Sequence, residues 1–93
     1  MKTPFARRIG MNICALRIGH DWSQNELCAK VDVDISTVQR WECGCVVPDG
    51  FDVYKLSIAF GVGTDAIYKG LPKSVAELHR LHPRRCAEHS SLS

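Results

Sequence analysis

The 93 residues allow one hydrophobic core but not two, because two cores of half this size would each be too small to offset chain entropy. With 45% hydrophobic and 24% charged residues the composition is that of a folded globular chain, outside the regime of disorder, and no apolar run approaches the roughly 18 residues expected of a membrane span. The formal charge of +2 is uneven: Lys2, Arg7, Arg8 and Arg17 make the first 22 residues basic, Glu26, Asp32, Asp34 and Glu42 make residues 23–47 acidic, and charge alone leaves the class of partner undecided.

Met1-Lys2-Thr3-Pro4 leads directly into a charged helix rather than a signal-peptide core, so a cytoplasmic location is expected. Phe5, Ile9, Ile13 and Leu16 recur at helical spacing, with Arg7, Arg8, Asn12 and Arg17 elsewhere on the wheel, and Gly19 is expected to end this first helix. Ser23-Gln-Asn-Glu26 has the capping-box pattern, in which a hydroxyl and a carboxylate satisfy free backbone N–H groups reciprocally, and a short second helix is expected from there to Val31. Asp32-Val-Asp34 reads as a turn whose last residue is the N-cap of a third helix, from Ile35 to about Cys43. Gly44 ends that helix, and Pro48, Asp49 and Gly50 mark the loop beyond. Val53, Leu56 and Phe60 set the inner face of a fourth helix closed by Gly61-Val-Gly63, and Thr64 or Asp65 caps a short fifth helix holding Ile67 and Tyr68. The fold class is therefore all-α, with five helices in residues 1–70 and a C-terminal extension over 71–93. Ser74-Val-Ala-Glu77 is a second capping box, Val75, Leu78 and Leu81 line one side of a helix over about 74–82, and the remainder reads as a frayed tail.

Five cysteines, at 14, 28, 43, 45 and 86, are odd in number and irregular in spacing, which fits reduced thiols better than a disulfide framework. Cys14 and Cys28 fall among helix residues and read as small buried hydrophobes. Cys43-x-Cys45 lacks the usual C-x2-C spacing and has no second ligand pair, so no metal or other cofactor is expected, and His79, His82 and His89 read as solvated. No nucleophile with an arranged base, phosphate-cradling loop or paired carboxylates can be named, so the chain is not expected to be an enzyme. Trp22 and Trp41 read as core or edge-of-core aromatics.

Two short helices joined by a tight turn, the second polar on one side, form the arrangement that inserts a helix into the DNA major groove. Val38 and Trp41 are expected to face the core, while Ser36, Gln39, Arg40 and Cys43 fall on the opposite face. The chain resembles the lambda repressor/Cro superfamily, also called the XRE family, over about residues 7–70. The resemblance rests on Trp22-Ser-Gln-Asn-Glu-Leu-Cys-Ala-Lys-Val31, on Val33-Asp-Ile-Ser-Thr-Val-Gln-Arg-Trp-Glu42 followed by Gly44 and Pro48, and on Leu56-Ser-Ile-Ala-Phe-Gly-Val62 followed by Asp65. It implies a five-helix lambda repressor-like helix-turn-helix domain in which Gln24 clamps a phosphate, Ile35, Ser36, Gln39 and Arg40 meet bases or phosphates, and Arg17 pairs with Glu42. The whole candidate DNA-facing set is Ser23, Gln24, Asp34, Ile35, Ser36, Thr37, Gln39, Arg40 and Cys43.

Residue chemistry supports those roles: Arg40 can bond guanine O6 and N7 together, Gln39 can do the equivalent with adenine, Ile35 can contact a thymine methyl, and Ser36 can bond a base or a phosphate. The loop Cys43-Gly-Cys-Val-Val47 carries no Lys or Arg, so a single copy should hold phosphates weakly. The expected function is a transcriptional regulator, a repressor of bacterial or phage type, binding double-stranded DNA at a palindromic operator as a homodimer. Its dimer contacts are sought at Val46 and Val47 or at Val75, Leu78 and Leu81. The alternative reading is a protein-interaction module, antirepressor or antitoxin-like, on the same frame, and a thiol-based metal or redox sensor is a third.

Overall fold

The computed structural model describes residues 3–71, which form five helices: α1 (Pro4–Gly19), α2 (Gln24–Val31), α3 (Ile35–Cys43), α4 (Gly50–Phe60) and α5 (Thr64–Ile67). The C-terminal stripe of Val75, Leu78 and Leu81, together with Cys86 and the tail histidines, lies outside the described residues.

Several of the helix ends have a local chemical reason. Thr3 Oγ1 accepts from the Ala6 N–H at 3.0 Å and Pro4 occupies the first turn of α1, where its missing N–H costs nothing. The expected capping box opens α2, with Glu26 N–H donating to Ser23 Oγ at 3.0 Å and Ser23 N–H donating to Glu26 Oε1 at 2.8 Å. Gly44 and Gly61 close α3 and α4 in the left-handed conformation, at φ 80° and 69°.

Helix α1 ends at Gly19 as expected, and the left-handed residue of the turn beyond it is Asp21 at φ 59°, a conformation Asp tolerates. Two other boundaries differ from the expectations. Gly50 is the first residue of α4 rather than part of the loop, because Asp49 Oδ1 accepts from the Asp52 N–H at 2.8 Å and acts as the N-cap. Gly63, not Thr64 or Asp65, caps α5, and no side chain bonds there.

One core joins all five elements: Ile9 and Ile13 from α1, Leu27 and Val31 from α2, Val38 and Trp41 from α3, Val53, Leu56 and Phe60 from α4, and Ile67 from α5. Burying each such side chain stabilises the fold by about 1.5–3 kcal/mol relative to exposure. Asn12 fixes the last helix to the first, its Nδ2 donating to the carbonyls of Ile67 at 2.8 Å and Lys69 at 2.9 Å. Leu71, the last described residue, also packs against this core. Cys14 and Cys28 are half-buried rather than buried, because each sulfur sits at the rim with a polar neighbour: Arg17 Nη2 at 3.6 Å and the Asn25 carbonyl at 3.1 Å.

Candidate nucleic-acid interface

Helices α2 and α3 are joined by Asp32, Val33 and Asp34. Asp32 adopts φ 57° and the Val33 N–H closes on the Cys28 carbonyl at 3.1 Å, which reverses the chain within three residues. Val38 and Trp41 anchor α3 with essentially no exposure, while Gln39, Arg40 and Cys43 are exposed and Ile35, Ser36 and Thr37 half-exposed. The helix thus turns a polar edge outward and an apolar edge inward, as its sequence pattern requires.

Asp34 occupies the N-cap position of α3, yet its side chain makes no capping hydrogen bond. The Thr37 N–H is already met by Asp34's own carbonyl at 2.9 Å, a tighter turn that leaves no third-residue donor for the carboxylate.

The orientation of α3 is set by a hydrogen-bonded network around Glu42. Arg17 Nε donates to Glu42 Oε2 at 2.7 Å and Arg17 Nη2 to Glu42 Oε1 at 3.1 Å, a bidentate pair between the ends of α1 and α3. Arg17 Nη1 also donates to the Trp22 carbonyl at 2.8 Å, drawing in the segment before α2. Gln24 Nε2 donates to Glu42 Oε1 at 3.0 Å, so the first residue of α2 joins the same carboxylate. The Arg17 and Glu42 side chains are 14% and 7% exposed. The hydrogen bond to Glu42 raises the Arg17 pKa above its ordinary value, against the opposing effect of burial.

This network adds a condition to the reading of Gln24. One amide hydrogen is committed to Glu42, which leaves the second for an outside acceptor at the start of α2. The Ser23 hydroxyl is occupied as an acceptor by its own helix, and it retains its hydrogen for donation. Arg40 and Gln39 have side chains directed to solvent on the exposed edge of α3. Val46 and Val47 are exposed at 45% and 40%, immediately after that helix.

Two features escaped the sequence reading. A Cβ at Gly10 would collide with the Trp41 carbonyl oxygen and lie 2.9 Å from that of Glu42, so α1 and α3 cross with backbone against backbone at that residue. The available signal was a glycine inside a helix whose flanking pattern is otherwise regular. The second is the outer face of α4, where Phe51, Tyr54 and Ile58 are 67%, 59% and 63% exposed at i, i+3 and i+7. That stripe is legible in the sequence once Val53, Leu56 and Phe60 are assigned inward. Lys55 lies beside it, 4.9 Å over the Phe51 ring and 3.8 Å from Asp52.

Among the described residues no group of three or more potential ligands is placed to hold a metal ion, and no helix is long and apolar enough to cross a membrane. No curated protein and no solved structure matches the chain at a significant level. The helix-turn-helix family profile matches residues 15–67, more than half of the chain, running from the last part of α1 through α5. Taken with an all-helical fold in which α2 and α3 meet at a tight turn, that match establishes that the chain belongs to the XRE-type helix-turn-helix family, with a lambda repressor/Cro-type domain, and is a DNA-binding transcription regulator.

Proposed function

We propose that the protein is a repressor that reads a two-fold-symmetric operator as a homodimer, with the exposed edge of α3 in the major groove. The observation that carries this reading is the division of α3: Val38 and Trp41 are locked in the core while Gln39 and Arg40 project outward. In such a geometry Arg40 addresses guanine and Gln39 adenine by paired hydrogen bonds, Ile35 meets a thymine methyl, and Ser36 and Thr37 bond bases or phosphate. Ser23, Gln24 and Asp34 stand at the helix starts, where Ser23 and Gln24 serve as donors to the sugar–phosphate backbone and fix the register. Cys43 is the last side chain of the outward edge. Repression then needs only occupancy of the site.

Dimerisation follows from the weakness of one copy's phosphate contacts, since the loop after α3 offers no cation. Val46, Val47 and the Phe51, Tyr54, Ile58 stripe form an apolar surface suited to a second copy, and the paired Asp52 and Lys55 beside it leave little net charge to repel across a two-fold axis. Two copies would read half-sites about one helical turn apart. The same exposed surface also favours a second reading, a protein-interaction module of antirepressor or antitoxin-like kind.

Selection of bound sequences from random duplexes tests the proposal. An enriched palindrome, bound with an affinity that falls steeply with salt, is expected. Enrichment of nothing, with no retardation of any duplex at low salt, would move the assignment to the protein-interaction reading.

A further inference from the structure

The segment that ends α3 carries a feature the DNA-binding reading does not use. Cys43 and Cys45 are both exposed, and their sulfurs are paired across a single glycine, with the Cα atoms 5.6 Å apart. That Cα separation lies inside the roughly 4.4–6.8 Å range that a disulfide spans. The thiols of Cys14 and Cys28, by contrast, are unpaired and half-buried. The expectation of uniformly reduced, separate thiols therefore does not hold for this pair. Sequence spacing treats residues two apart as ordinary neighbours, whereas the turn brings their side chains to the same side.

The convergence is built into the backbone. Gly44 adopts φ 80°, and a Cβ there would lie 3.1 Å from the Arg7 Cα, so both the turn and the packing of α1 require glycine. The reversed chain folds back over the helix end, where the Arg40 carbonyl accepts the Cys45 N–H at 2.9 Å and the Val46 N–H at 3.3 Å, with Cys43 Sγ at 3.4 Å. All of these atoms belong to the last turn of α3 and the residues that cap it. The paired geometry coexists with an intact core, so joining the two sulfurs asks for no unfolding.

We propose that Cys43 and Cys45 form a reversible dithiol–disulfide centre that exchanges with low-molecular-weight disulfides and sets the rigidity of the last turn of α3. One cysteine thiolate attacks a sulfur of the small disulfide, forming a mixed disulfide and displacing one small thiolate. The neighbouring thiolate then attacks the cysteine sulfur of that mixed disulfide, closing the Cys43–Cys45 bond and expelling the second small thiolate. Two cysteine thiols are oxidised, one small disulfide is reduced to two thiols, and the two protons lost by the cysteines pass to the leaving thiolates. This chemistry stands whether or not α3 reads bases, and it goes beyond the proposed repressor role.

The test is equilibration of the full chain with mixtures of reduced and oxidised glutathione, followed by acid quench, maleimide labelling, intact mass and peptide mapping. The five cysteines of the reduced chain take five labels. The oxidised chain is expected to lose two labels, both mapping to Cys43 and Cys45, with its helical circular dichroism unchanged. Amide exchange at Cys45 and Val46 should slow on oxidation, which a merely incidental bond elsewhere would not produce. Cys45→Ser should stop at the first step and accumulate a glutathione adduct on Cys43, because the resolving thiol is gone. Retention of five labels at every ratio, loss of labels at Cys14, Cys28 or Cys86 instead, or the same persistent adduct in the wild-type chain would each overturn the proposal.

Discussion

Arg17 does more than balance a charge, because its three donor nitrogens tie α1, the segment before α2 and the end of α3 to one another. Removing Glu42 would leave the guanidinium with only the Trp22 carbonyl and the Cys14 sulfur in a largely buried place. Losing one partner of a fully buried pair costs roughly 3–5 kcal/mol, and the slight exposure here puts Glu42→Ala at about 3 kcal/mol. A domain of this size should then melt about 10–20 °C lower. Thermal melts followed by circular dichroism check this against Lys69→Ala, an exposed control expected to melt with the wild type; equal melting of both variants would remove the pair from the account of stability. Since the folded-state pKa of Arg17 is raised, the guanidinium's side of the pair is lost only as pH rises into strong alkali, so titration from neutral pH to about pH 10 should leave the pair intact. Arg40, by contrast, is exposed on the outer edge of α3. Arg40→Ala should reduce preference for the selected operator by about 1–3 kcal/mol with an unchanged melt, whereas Gln24→Ala should weaken all duplexes alike. Competition binding with operator and random duplex separates the two, and an Arg40→Ala protein with its preference intact would end Arg40's role as a base reader.

At the scale of the helices, the crossing of α1 and α3 turns on Gly10, whose missing side chain lets the two backbones meet. Alanine has the better helix propensity by about 1 kcal/mol, but here its methyl would strike backbone carbonyls that cannot rotate away, at a cost of about 1–3 kcal/mol. Gly10→Ala is therefore expected to destabilise, while Gly19→Ala, at the end of the same helix with open space around it, should be neutral or mildly stabilising. Urea unfolding of the two variants measures the contrast, and a stabilised Gly10→Ala protein would show that the helices can part freely. The same comparison explains what was legible in the sequence. The spans of α2 and α3 and the inward placement of Val38 and Trp41 follow from periodicity and caps, which are local properties. Whether Asp34's carboxylate finds a donor, whether Gly63 or its neighbour caps α5, and how closely Gly10 approaches α3 depend on how the chain is folded around them, and no local pattern reports that.

For the whole molecule, the exposed apolar band on α4 and the valines before it are the surface through which a second copy is expected to bind. Val46→Asp and Ile58→Asp should each shift the protein toward monomer in sedimentation and weaken operator binding while preserving the helical spectrum. A wild-type chain that is monomeric both free and on DNA would sink the dimer. Truncation after Leu71 keeps every core residue of the described helices and should retain their circular dichroism. The outward set on α3 was legible in the sequence because an amphipathic helix advertises its two faces, whereas Gln24's tie to Glu42 was not, since it joins side chains 18 residues apart. The backbone contact at Gly10 has a further bearing on how such a protein diversifies. Where α3 meets α1 at Gly10 the contact is between main-chain atoms rather than side chains, so that point of its seating does not depend on the size of a core side chain there. If α3 reads bases as proposed, changes at Ser36, Gln39 or Arg40 would alter the text being read without loosening the seat. Stability and target choice would then be open to separate selection, and descendants of this chain could acquire new operators one exposed residue at a time.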